Sequence, residues 1–473
     1  MSQDLCALPA TALVEAIRTK RVSALEVTDA VLARIDRVNP VVNAFVTVVA
    51  DQAREAARAA DAAVMRRPPS ELGLLHGVPV SIKDLVLTKG IRTTFGSRAF
   101  ADHVPTEDAL IVQRLRAAGA IILGKTNTPE LGAGGNTKNA LFGPTRNPWR
   151  LSHTCGGSSG GAAVALATGM GPLAQGSDTG GSLRVPASFC GVIGFRTSPG
   201  VVPVYPTPLA WDTLSVAGPM ARTVGDTALM LAAIAGPDDR APISIPVNPA
   251  EWLEAVRTPD VRGWRVAWSA DLGVTPVEPE VARVAEEAAR ALLDLGGALE
   301  EAHPDFAGVR EIIGAPRAAR MATVHAGLLP RWRDQMFPPL VRNIEQGLTL
   351  TATQWGRAEM ERTALWHRVR AFFERYDLLV TPTVAVPPFP LEWDYPPEIN
   401  GHPVESYTDW FLLTYAITLT GLPAISVPAG WTADGLPVGL QIVGRRRGEA
   451  AVLRAAAALE AARPWAGRRP PVT

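Results

Sequence analysis

The chain has 473 residues, 47% of them hydrophobic, enough to bury a large core as one big domain or two smaller ones. Lysine plus arginine and aspartate plus glutamate stand at 46 each, so no net positive field gathers phosphates or anionic lipids, and nucleic acid is not an expected partner. No run approaches the ~18 uninterrupted apolar residues of a membrane helix, the start MSQDLCALPA lacks a leader pattern, and Cys6, Cys155 and Cys190 are few, odd in number and scattered; a cytoplasmic protein without a membrane partner or a disulfide framework is expected.

From Leu8 to Ala63 the apolar spacing is helical, through Leu13, Ile17, Val27, Val31 and Ile35, with Pro40 expected to stop one segment; residues 1–66 therefore read as a helical N-terminal arm. LHGVPVSIKDLVL predicts a short strand running into a loop, DALIVQRLRAAGAIILGKT an amphipathic helix and then a buried strand, and PLAQGSD another strand. VARVAEEAARALLDLGGALEEA is a helix with Val281, Val284, Ala288 and Leu295 on one face, ended by Gly296 and Gly297. Residues 329–403 concentrate proline, tryptophan and phenylalanine and read as irregular cover. Strands follow at YDLLVTPTVAV, AISVPAG and GLQIVG, and EAAVLRAAAALEAA closes the chain as a helix. Such alternation predicts an α/β sheet covered by helices on both faces, in a single domain over 1–473.

Several patterns compete to be the site. GAIILGKT, Gly119–Thr126, fits a phosphate-binding loop letter for letter, but the residues between its glycines are apolar and look like the strand itself, and Pro129 follows closely; nucleotide binding is the weaker reading. GSSGG at 157–161 satisfies a serine-hydrolase elbow, yet no apolar strand precedes it. The seven histidines show no zinc spacing, so no metal or cofactor is expected, and Cys155 and Cys190 beside apolar residues suit core filling better than nucleophilic attack.

Two glycine-serine knots remain, CGGSSGG and SDTGGS, joined by the helix-like AAVALATGM. A flexible linker would carry no such apolar run. After the strand PLAQGSD, TGGS sets three small residues before Ser182, so several backbone amides can turn inward as an oxyanion hole, each donor worth roughly 3 kcal/mol. With no histidine nearby, the base would be a lysine made neutral by burial, and Lys83 in GVPVSIKDLV is the candidate, although a lone lysine there also fits a sheet edge or a snorkelling residue.

Together with TNTPE, FGPTRNPW, GSDTGGSLRVPASFCGVIGFRTSPG, LTGLPAISVPAGW and GLPVGLQIVG, these motifs resemble the amidase signature family over nearly the whole chain. The resemblance implies a single-domain fold with a twisted mixed sheet of roughly ten strands, and a signature core at 67–235. It implies a Ser-cisSer-Lys triad: Ser182 as nucleophile, Ser158 on a cis peptide bond 24 residues earlier (158 to 182), and Lys83 a further 75 back. The oxyanion would rest on the amides of Thr179, Gly180, Gly181 and Ser182, with Ser159, Asp178 and Arg184 as supports, and no cofactor. The family also includes one component of a tRNA-dependent amidotransferase, its glutaminase. TNTPELGAGGNTKN and VVPVYPTPLAWDTLSVAGP depart from the usual segments of that glutaminase, which favours a stand-alone hydrolase, monomer or homodimer.

Substrate is expected from the cover. Tyr205, Trp211, Trp332, Phe337, Phe389, Trp393, Tyr395 and Trp410 suggest an apolar pocket with little to fix a carboxylate, hence uncharged amides, aryl amides and aryl carbamates first, and esters as a side activity. The same aromatics also fit ordinary core or lid packing.

Overall fold

The β-branched, apolar runs collect into one sheet. A computed structural model describes residues 4–472, and in it eleven strands hydrogen-bond side by side. They are β1 Phe45–Val48, β2 Pro79–Lys83, β3 Ile121–Thr126, β4 Leu173–Asp178, β5 Ile193–Arg196, β6 Val216–Ala221, β7 Arg265–Trp268, β8 Ala298–Glu301, β9 Leu378–Pro382, β10 Ala424–Trp431 and β11 Pro437–Gly444. Their order across the sheet is β1-β3-β2-β4-β6-β5-β10-β11-β9-β7-β8. β3, β2 and β4 run parallel, as do β9, β7 and β8, and antiparallel pairs join the two groups. Every residue of β2, β3, β6, β9 and β11 is buried, as strands covered by helices on both faces require. One hydrophobic cluster extends from Ala10 to Trp465, so the chain is a single α/β domain.

Three local expectations need correction. Pro40 does not stop its helix: Ala24–Val42 runs through it and ends where Asn43, in the left-handed conformation, donates its N–H to Asn39 O at 2.8 Å. The first 66 residues are not purely helical, since β1 pairs antiparallel with β3 and forms one sheet edge. The segment 329–403 is more ordered than a set of covering loops. It holds the helices Leu329–Trp332, Pro338–Leu348 and Ala352–Phe372, then β9 within the sheet. The prolines misled the reading because Pro330, Pro338 and Pro339 sit in first helical turns, where the missing N–H has no partner to lose.

The phosphate-loop reading of Gly119–Thr126 also fails. Ile121–Thr126 is a buried strand, and Lys125 Nζ is spent inside the protein on Val86 O, on Thr88 Oγ1 at 2.9 Å and on Thr93 Oγ1 at 3.0 Å. No phosphate can reach it.

Candidate active site

β2 and β4 are parallel neighbours, so their C-terminal ends open at the same edge of the sheet, where α/β folds place their sites. Lys83 ends β2, and Ser177 and Asp178 end β4. Lys83 is fully buried, with Nζ 2.7 Å from Ser158 Oγ, 2.9 Å from Ser159 Oγ and 3.1 Å from Ser177 Oγ. Burial pushes its pKa down to about 7, against the charge of Asp178, which pulls it back up. A neutral amine can donate to two of these serines and accept a proton from the third.

Ser158 follows a cis peptide bond, Gly157–Ser158. Directly behind it the helix Gly160–Ala167 starts, and it is buried at every position. The Ser159 N–H donates to the Ser182 carbonyl at 3.2 Å, so the second knot is tied to the first.

Ser182 precedes the buried helix Arg184–Cys190 and lines a cavity of about 110 Å³ together with Ser158. The turn that presents it is held by the Asp178 carboxylate. That group accepts from Gly181 N–H at 2.9 Å, from Leu183 N–H at 3.2 Å, and from Arg184 at 2.9 and 3.0 Å. Arg196 adds a contact at 3.2 Å and also donates to the Asp178 carbonyl at 2.7 Å. Burial alone would push the Asp178 carboxyl up, but Arg184 and Arg196 outweigh it and hold the group well below the usual carboxylate range. These contacts correct the oxyanion expectation at one position: the Gly181 amide is already used by Asp178. The Thr179, Gly180 and Ser182 amides carry no hydrogen bond within the described chain. Gly181 is needed for shape instead, with φ +129 and a position where a Cβ would lie 2.2 Å from Thr414 Oγ1.

A profile of the amidase family matches residues 26–453. The chain belongs to the amidase signature family. It is 42% identical over 472 residues to an acylamidase of Rhodococcus erythropolis, covering 99% of this chain and 98% of that one. It is also 39% identical over 491 residues to a glutamyl-tRNA(Gln) amidotransferase chain of Moorella thermoacetica, covering 99% of each. Among solved structures it resembles a bacterial aryl acylamidase with TM-score 0.90 and 33% identity over 97% of each chain. It resembles 6-aminohexanoate cyclic dimer hydrolase in complex with substrate with TM-score 0.88 and 30% identity, over 99% of this chain and 100% of that one. The protein is an amidohydrolase.

The amidase's cavity differs from its expected lining. None of the eight aromatics named from the cover lines the cavity at Ser182, where Tyr407, Phe411 and Tyr415 stand, but two of them, Phe337 and Tyr395, line a second cavity that shares Gly134, Gly135 and Tyr407 with it. Trp410 is fully buried instead, stacked on Phe189 with Phe389 edge-on, whereas Trp211 is 75% exposed. The expectation of little to fix a carboxylate also fails, because Arg317, Arg320 and His325 reach the cavity. Arg320 is paired with Asp212, and burial, with Arg320 nearby, lowers His325 to about 4 and so keeps it neutral. Arg317 lies 5.1 Å over the Tyr407 ring and has no carboxylate partner among the described residues.

Burial pushes the Cys155 thiol up to about 12 and Cys190 well above its ordinary value, so neither is a thiolate nucleophile. Among the described residues no group of three or more His, Cys, Asp or Glu could hold a metal ion, and no helix is long and apolar enough to cross a membrane. Sequence reasoning missed Ser177 and Arg196, although both stand inside recognised motifs, GSDTGGS and GFRTSPG.

Proposed function

We propose that this amidase cleaves C–N bonds of uncharged acyl amides through Lys83, Ser158 and Ser182, with no partner chain. The observation that carries this reading is the buried Lys83 amine 2.7 Å from the Oγ of Ser158, a serine that lines one cavity together with Ser182. Ser182 Oγ attacks the amide carbon while its proton passes to Ser158, whose own proton goes to neutral Lys83. The oxyanion rests on the free amides around Thr179, Gly180 and Ser182. Protonated Lys83 then returns the proton through Ser158 to the nitrogen, the C–N bond breaks and the amine leaves. Water, deprotonated along the same path, clears the acyl group from Ser182. Ser159 and Ser177 fix the amine, and Asp178 with Arg184 fixes the Ser182 turn. The likeness to an acylamidase and an aryl acylamidase supports aryl amides as first substrates. Carbamates present the same carbonyl beside the same nitrogen.

The test is a panel of anilides, aryl carbamates, fatty amides, p-nitrophenyl esters and free glutamine on the purified chain, with the acyl-enzyme at Ser182 sought by mass spectrometry. Turnover of neutral anilides supports the reading. A second reading, the glutaminase component of a tRNA-dependent amidotransferase, is favoured by Arg317 in the cavity, which donates through Nε to Asn343 but has no carboxylate partner among the described residues and so suits a substrate carboxylate, and by the likeness to the Moorella thermoacetica protein. Efficient glutamine hydrolysis with no anilide turnover would select it.

A further inference from the structure

A second cavity of about 350 Å³ adjoins the one at Ser182 and shares Gly134, Gly135 and Tyr407 with it. We propose that this cavity is the subsite of the leaving amine and takes a bulky, uncharged aromatic amine. The proposal rests on the Lys83, Ser158 and Ser182 reading, because the direction of the substrate comes from the proton. The nitrogen that leaves must receive its proton from Ser158, within hydrogen-bond reach of Ser158 Oγ.

The backbone of 132–136 lies against that serine. A Cβ on Gly132 would stand 3.8 Å from Ser158 Oγ, and one on Gly157 would stand 3.1 Å from the Gly135 carbonyl. A substituent on the leaving nitrogen therefore lies along this glycine strip. Beyond it the second cavity opens: a Cβ on Gly134 would meet nothing nearer than Pro129 Cβ at 3.8 Å and then Phe337 at 3.9 Å. The strip stays narrow because Gly135 packs on Trp410, where a Cβ would lie 2.3 Å from Cζ2. On the other flank, Thr179 at the oxyanion turn donates to Ser215 Oγ at 3.0 Å, so the acyl group is left with the smaller cavity beside Leu214 and Ser215.

The chemistry of the amine follows from the walls. Pro129, Phe337, Pro339, Tyr395 and Tyr407 supply apolar and aromatic faces. Of the charges, Lys138 is bound to Asp394 at 2.6 Å, while Arg342 and Glu405, of opposite sign and not bridged to each other, are both exposed at the rim, where water screens them. Nothing there selects an ionised substituent.

Three amides sharing one acetyl group test this: acetamide, acetanilide and 4-benzylacetanilide. In the wild type kcat/KM rises along the series, by about tenfold or more at the last step. Phe337→Ala and Tyr395→Ala each lower the ratio of kcat/KM for 4-benzylacetanilide to that for acetamide by about tenfold. Tyr395 is 39% exposed, so its substitution leaves the core intact even if Phe337→Ala does not fold. Binding of free 4-benzylaniline to the Ser182→Ala protein, weakened about tenfold by Tyr395→Ala, reads the cavity without turnover. Failure to cleave any amide would sink the catalytic reading, and the binding result would still decide the subsite. An unchanged ratio in the folded variants, or binding indifferent to Tyr395, overturns the proposal.

Discussion

If Lys83 must be neutral to accept a proton, acid should silence the amidase along a calculable curve. Burial sets the Lys83 pKa at about 7, so a falling pH charges the amine and removes the base. With that value the neutral fraction is about one half at pH 7, about one tenth at pH 6 and about one hundredth at pH 5. The assay is kcat/KM on 4-nitroacetanilide from pH 5 to 9, since kcat/KM reports the free enzyme. His325, held near 4, cannot produce a limb at neutral pH, but Lys125, also pushed down to about 7 by burial, could. Lys125→Met is the control: it lies outside the cavity, and the acid limb should persist in it. A rate flat down to pH 5, or a limb that disappears with Lys125, would refute the assignment of Lys83 as base. The same shift acts on stability with a definite sign. Lys83 holds its proton less tightly folded than unfolded, so between about 7 and 10.5 the unfolded chain carries more protons and stability rises with pH; below about 7 the cost of the buried ammonium is fully present.

Ser182→Ala should abolish turnover of 4-nitroacetanilide, with Lys83→Ala and Ser158→Ala close to it and the double variants no worse, because a relay fails as a unit; retention above about one hundredth of wild type in Ser182→Ala would reject the nucleophile. Asp178→Asn leaves Arg184 and Arg196 buried beside a lost charge and should cost about 3–5 kcal/mol in urea unfolding. Cys155→Ala and Cys190→Ala should keep kcat/KM within about twofold, and slow reaction of the folded protein with iodoacetamide would agree with thiols held in the neutral form. Chelators should leave the rate unchanged; metal-restored activity after EDTA would contradict a mechanism built on these serines.

What the sequence determined by itself is local. The two knots fix where the chain turns, because only short side chains allow the turn at Gly181 and the packing at Gly160, and the apolar run between them could only be a buried helix. The apolar neighbours of Lys83 made it a candidate for burial, and burial of a lysine is what lowers its pKa. The tertiary structure decided what depends on which way a side chain faces. An aromatic residue satisfies a core and a pocket equally well, and only packing sends Trp410 against Phe189 while Tyr407, Phe411 and Tyr415 face Ser182. Likewise the Gly181 amide looks free in the chain, yet Asp178, brought round by the Ser182 turn, takes it. Arg196 joins that carboxylate because β5 lies near β4 in the sheet, with β6 between them, an order no local pattern encodes. Local chemistry sets what each residue can do, and sheet order and helix packing set which residues meet.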